Sequence, residues 1–193
     1  RSDVCFNFRN NHVEYLTNHV EPWTVTLVDT GERSMTGGRL KRVREYVGDE
    51  TFCMTYGDGV GDVDIPASLA FHREHNALCT MTAVQPPGRF GAFTLGADET
   101  EVTQFHEKPD GDGAWINGGF FVLEPGVFDY IENDLTTWEQ APMKRMAADG
   151  KLCAYKHTGF WQSMDTLRDR MVLEDHWATG NAPWALWQEN GNR

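Results

Sequence analysis

The residues best suited by type and spacing to do chemistry are two aspartates that follow apolar runs. Asp58 lies in Gly57-Asp58-Gly59, directly after the apolar stretch 51–56. In open α/β sheets ligands bind beyond the carboxyl ends of the strands, so a carboxylate set there between glycines can hold a hard cation against a ligand. Asp165, in Met164-Asp165-Thr166, occupies a comparable place, where another apolar stretch gives way to a helix. Two acids from distant parts of the chain at equivalent strand ends could chelate one Mg2+, with waters and phosphate oxygens completing its octahedral shell. Each also has a plainer reading. Gly57-Asp58-Gly59 can be a turn whose Asp bonds its own backbone, and Asp165 can be a helix N-cap.

A second set of residues suits an anionic, hydroxyl-rich ligand. Lys108, in Glu107-Lys108-Pro109, is a point charge for a phosphate, and Glu107 can accept hydrogen bonds from sugar hydroxyls. Arg89, in Gly88-Arg89-Phe90-Gly91, is a further loop cation. In Ser34-Met35-Thr36-Gly37-Gly38-Arg39 the glycines precede a helix, where backbone amides can approach a phosphate or a base edge, and Arg39 adds charge. A solvated surface pair or an ordinary helix start accounts for each of these taken singly. The histidines form no metal-binding spacing, and His72 and His75 read as surface or internally satisfied groups. The tryptophans read as core and interface residues, with Trp161 the one nearest the chemistry.

Alternating apolar and turn-rich segments supply the scaffold. Strands are expected over 4–8, 23–29, 51–56, 78–84, 90–95, 101–106, 118–123 and 152–156, and helices over 38–47, 66–75, 166–177 and, more weakly, 139–148. The first half alternates strand and helix as a parallel α/β sheet does, and the strands in quick succession after residue 78 imply an antiparallel extension. The expectation is one Rossmann-like domain over residues 1–193, a mixed, mainly parallel sheet flanked by helices, with a docked tail from Gly180. A net charge of −12 argues against a protein that grips nucleic acid through its backbone phosphates. The four cysteines, with no C-x-x-C spacing, read as reduced core residues. No run reaches the roughly 20 apolar residues of a membrane span, so a cytoplasmic protein is expected.

Taken in order, Thr36-Gly37-Gly38-Arg39, Gly57-Asp58-Gly59, Gly88-Arg89-Phe90-Gly91, Glu107-Lys108-Pro109, Asn117-Gly118-Gly119 and Met164-Asp165-Thr166 resemble the sugar-1-phosphate nucleotidyltransferases. Val20-Glu21-Pro22-Trp23, Thr136-Thr137-Trp138-Glu139 and the segments 86–93, 107–123 and 160–169 are similar to the branch that acts on CTP and glucose 1-phosphate. The resemblance implies transfer of a cytidylyl group to give CDP-glucose and pyrophosphate, with Mg2+ held by Asp58 and Asp165. It implies Lys108 on the sugar phosphate, Glu107 and Asn117 on sugar hydroxyls, Gly91 and Arg89 on the sugar side, and Thr36, Gly38, Arg39 and Gly57 on the nucleotide. The alternatives are UTP or dTTP, or another sugar 1-phosphate, or a non-catalytic sugar-phosphate-binding or assembly fragment. Family members begin with a strand and a G-G-x-G-T-R-L loop that holds the triphosphate, and no such residues occur in this sequence. The chain is therefore expected to be an N-terminally incomplete fold with little activity by itself. A homo-oligomer and a role in polysaccharide biosynthesis are further expectations of the resemblance.

Overall fold

The computed structural model describes residues 4–15, 23–86, 92–95, 100–106 and 115–188. The first apolar run forms β1 (Val4–Asn7), which pairs antiparallel with β2 (His12–Tyr15). Two short helices follow, α1 (Thr36–Arg42) and α2 (Arg44–Val47), then β3 (Phe52–Thr55), β4 (Gly59–Gly61) and α3 (Ile65–Glu74). Next come β5 (Cys79–Val84), the antiparallel ribbon of β6 (Ala92–Leu95) and β7 (Val102–His106), and the long β8 (Ile116–Leu123). A 3-10 helix (Pro125–Tyr130), α4 (Ala141–Ala148), β9 (Leu152–Lys156), β10 (Trp161–Ser163), α5 (Leu167–Ala178) and a short 3-10 helix (Leu186–Gln188) complete the order.

The central sheet has the order β3-β8-β5-β9. β8 runs antiparallel to both β3 and β5, and β5 runs parallel to β9. Three of these four strands thus share a direction, and the fourth, which comes from the later part of the chain, is inserted between two of them. The mixed α/β architecture with flanking helices is the one expected, and the β6–β7 ribbon is its antiparallel extension. β5 is buried along nearly its whole length, as an inner strand covered on both faces must be. Phe121 and Leu123 of β8 pack with Cys79, Val127, Phe128, Ile131, Trp138 and Met146 under α4 and the 3-10 helix. Full burial of a side chain such as Leu123 contributes about 1.5–3 kcal/mol, and this cluster is the main apolar adhesive of the fold. α3 starts as its sequence dictates, with Pro66 in the first turn and the Asp64 carboxylate accepting from the Ala67 N–H at 2.9 Å. It packs against β5, β8 and β9.

Several expectations fail for identifiable reasons. Residues 23–29 form no strand, and Trp23, Val25 and Leu27 are exposed. Their period of two gives a segment that needs a ladder partner, and none of the described strands pairs with it. The helix expected over 38–47 is split at Val43, whose backbone (φ −93°, ψ 5°) leaves the helical region. β2, β4 and β10 are three or four residues long and too short to show a hydrophobic period. Cys79 is buried and Cys153 half-buried, but Cys5 and Cys53 are exposed, so only part of the cysteine set belongs to the core; all four are free thiols. Of the tryptophans, Trp138 is a core residue, whereas Trp177 and Trp187 are exposed and Trp184 packs at a tilt on Phe160 and edge-on to His176, which docks the tail.

Candidate functional site

The feature around which the site is built is a bulge in β8. Pairing with β5 passes from Met81↔Phe121 to Ala83↔Asn117, so β8 spends four residues where β5 spends two. The surplus falls on Asn117-Gly118-Gly119. Gly119 has φ +80°, and a Cβ there would stand 2.9 Å from the Tyr56 ring; a Cβ at Gly118 would stand 2.8 Å from Val84 Cγ1. A glycine pair is thus required by both backbone and packing. The bulge is pinned from inside by the Asn117 side chain, whose Oδ1 accepts the Gly119 N–H at 2.9 Å. It is pinned from outside by Tyr56 N–H donating to Gly119 O at 3.0 Å and by Trp161 Nε1 donating to Gly118 O at 2.8 Å.

Those two outer contacts belong to the segments that carry the aspartates. β4 pairs antiparallel with β10, with Gly59 opposite Ser163, and one further bond extends the ribbon, from Met164 N–H to Asp58 O at 2.8 Å. Asp58 and Asp165 thus leave the same end of one two-stranded ribbon, and both are exposed. The N-cap of α5 is Thr166, whose hydroxyl accepts the Asp169 N–H at 3.2 Å while the Asp169 carboxylate accepts the Thr166 N–H at 3.0 Å. Capping is therefore the work of Thr166, and Asp165 is left outside the helix. Nothing lies within 4 Å of where a Gly57 side chain would begin, which leaves that flank of Asp58 open. Among the described residues no group of three or more His, Cys, Asp or Glu side chains converges as a metal cluster.

A line of side-chain hydrogen bonds runs from the bulge to the head of α1. Asn117 Nδ2 donates to Tyr56 Oη at 3.4 Å, Tyr56 O–H donates to Glu139 Oε1, and Thr36 O–H donates to Glu139 Oε2 at 2.9 Å. Thr36 in turn accepts the Trp138 N–H at 2.9 Å. The Tyr56 phenol is held above its ordinary pKa, chiefly by burial, then by its bond to Glu139, with Asp58 adding a smaller push in the same direction.

Of the expected nucleotide residues, Gly38 and Arg39 are engaged within the protein. The Gly38 N–H donates to Thr136 O at 3.1 Å, and a Cβ at Gly38 would run into the Asp134 carbonyl, so this glycine serves close packing of α1 on residues 134–138. The Arg39 guanidinium donates to Thr30 Oγ1 at 2.7 Å and to Glu32 O at 3.2 Å, fastening that turn to α1. Arg89, Gly91, Glu107 and Lys108 lie outside the described residues. Asn117 belongs to the bulge, Gly57 and Asp58 follow Tyr56 beside it, Asp165 lies at the same ribbon end as Asp58, and Thr36 reaches the bulge through Glu139 and Tyr56. Tyr56 and Glu139 were not singled out by sequence reasoning. The available signals were their positions, Tyr56 immediately before Gly57-Asp58-Gly59 and Glu139 closing Thr136-Thr137-Trp138-Glu139.

A mixed sheet with a glycine bulge, flanked by two aspartates at the end of one ribbon, is in keeping with the sequence match of residues 4–164 to the nucleotidyl transferase family, and the chain belongs to that family. It is 58% identical over 188 residues to the glucose-1-phosphate cytidylyltransferase of Salmonella typhimurium, covering 97% of this chain and 72% of that protein. It is 39% identical over 168 residues to a probable glucose-1-phosphate cytidylyltransferase of Bacillus subtilis, covering 86% of this chain and 65% of that one. Among solved structures, HddC from Yersinia pseudotuberculosis shares the fold, with a TM-score of 0.57 at 19% identity over 76% of this chain and 64% of that chain.

Proposed function

We propose that the chain is part of an enzyme that joins CTP and glucose 1-phosphate into CDP-glucose and pyrophosphate. The identity of 58% with the Salmonella enzyme supports the substrate pair. The structural observation that carries the reading is the bond from Met164 N–H to Asp58 O, which draws two exposed aspartates to one end of the β4–β10 ribbon. In the reaction a phosphate oxygen of glucose 1-phosphate attacks the α-phosphorus of CTP; the new P–O bond forms as the bond to the β-phosphate bridging oxygen breaks, and pyrophosphate leaves. Such transfer needs positioning and charge neutralisation more than covalent help, so no nucleophilic side chain is called for.

Two exposed carboxylates suit Mg2+, which takes one or two carboxylates and fills its remaining positions with water and phosphate oxygens. Asp58 and Asp165 would hold it, and the ion supplies neutralisation of the phosphate charge. Lys108 would bind the sugar phosphate, Glu107 and Asn117 the sugar hydroxyls, and Gly91 and Arg89 the wall of the sugar pocket. Thr36, Gly38, Arg39 and Gly57 would border the nucleotide, with Gly38 and Arg39 acting through the packing of α1. Among the described residues no helix is long and apolar enough to cross a membrane, and the reading places the enzyme in the cytoplasm as a homo-oligomer, which light scattering would test. The deciding assay offers the full-length enzyme CTP, UTP, dTTP and GTP in turn with glucose 1-phosphate and Mg2+. CTP should give the highest kcat/KM, and a lower rank for CTP overturns the cytidylyl assignment.

A further inference from the structure

The Glu139 carboxylate stands off the sheet, and both its oxygens are taken by side chains from other parts of the chain. Oε1 accepts from Tyr56 and Oε2 from Thr36, residues 83 and 103 positions away. Each donor is itself committed. Thr36 accepts the Trp138 N–H, so its hydroxyl hydrogen points to Glu139. Tyr56 donates to Glu139, so its oxygen receives Asn117 Nδ2, and the other end of the same amide holds the Gly119 N–H. The carboxylate ends the line by accepting on both oxygens, whereas an amide in its place would turn one accepting atom into a donor facing a donor.

We infer that Glu139 is a positioning residue that ties the head of α1 to the Asn117-Gly118-Gly119 bulge, so that the nucleotide side and the sugar side of the site hold one fixed register. The inference rests on the function proposed above for its kinetic consequences, though not for the coupling itself. The line runs from the head of α1 past Tyr56, which packs edge-on against Phe121 at the rim of the core, to Asn117. The line ends on Asn117, whose side chain pins the bulge from inside.

The test uses the full-length enzyme with Glu139→Gln, Tyr56→Phe and the unaltered protein, read by amide exchange at Gly119 and by KM for each substrate separately. Glu139→Gln should speed exchange at Gly119 and raise KM for both CTP and glucose 1-phosphate by about tenfold, the scale of losing a hydrogen bond to a charged group. Tyr56→Phe keeps the Thr36–Glu139 bond, so it should speed Gly119 exchange and raise KM for glucose 1-phosphate alone, leaving that for CTP within about twofold. A merely structural role would lower Tm and the amount of active enzyme without this split. If Glu139→Gln does not fold, Tyr56→Phe, which removes a single hydroxyl, reads the same link. Unchanged Gly119 exchange and unchanged KM values in the folded variants overturn the inference. An unaltered enzyme that makes no CDP-glucose, while the variants still loosen Gly119, would overturn the proposed reaction and leave the coupling standing.

Discussion

Glu139 and Glu124 each join side chains from distant parts of the chain, yet the two clusters end in different places. Glu124 Oε1 accepts from the Thr51 hydroxyl at 2.6 Å and lies 3.1 Å from His72 Nε2, while His72 Nδ1 pairs with Thr80 Oγ1 at 2.8 Å. His72 is 1% exposed, held between α3 and the sheet, and both its ring nitrogens are used up by protein partners. The Glu139 line finishes instead on a bulge beside an exposed aspartate. The same residue types make a brace in one place and border a candidate site in the other. What separates them is whether the last group in the line is buried and spent or stands next to groups left open to solvent.

The sharpest way to break that contrast is to remove charge from the open groups. Asp58→Asn or Asp165→Asn should cut kcat by about a thousandfold or more, the scale of losing a metal-held charge clamp, and leave Tm unaltered because both positions are exposed. Full turnover in both variants would remove them from the reaction. On the brace side His72→Leu should do the opposite. It strands Thr80 in the core and should cost about 1–3 kcal/mol, lowering Tm by several degrees with KM and kcat of the folded enzyme unchanged. A change in KM there would erase the distinction.

Gly119→Ala tests the boundary between the two. At φ +80° an alanine should cost about 1–2 kcal/mol, and its methyl would press on the Tyr56 ring, so stability and the KM for glucose 1-phosphate should both suffer. The smallest expected effect is a pH dependence on the brace side. Burial pushes the Cys79 thiol up to about 12 from an ordinary value of 9.0, with Cys153 adding to it. The raised value means that the fold favours the protonated thiol; this contribution is intact below pH 9 and is lost as the pH climbs from there toward 12, because the unfolded thiol ionises first. Tm should fall over that window, and Cys79→Ala should flatten the slope.

The parts of this molecule that sequence alone disclosed are those with a local cause. An apolar run ending in Gly57-Asp58-Gly59 already points to a strand end with an open carboxylate, and the helices expected over 66–75 and 166–177 appear as α3 and α5. What stayed hidden depends on partners far along the chain. Residues 23–29 have the pattern of a strand without a described edge to pair with, and Gly38 looks like an open amide until Thr136 O is seen to occupy it. The bulge was half legible: a Gly-Gly pair inside a strand is a known signal, but its two extra residues emerge only from the pairing of β8 with β5.

The bulge has a further consequence for how the chain can vary. β8 is hydrogen-bonded on both sides, and the residues that follow the bulge, Phe121 and Leu123, are fixed in the core. Losing one residue from Asn117-Gly118-Gly119 could not be absorbed by sliding the strand, since a slip of one position would turn those side chains to the opposite face. Residue count at this point is therefore as strict a requirement as residue identity, and the segment should tolerate a changed side chain at its rim better than a deletion at its centre.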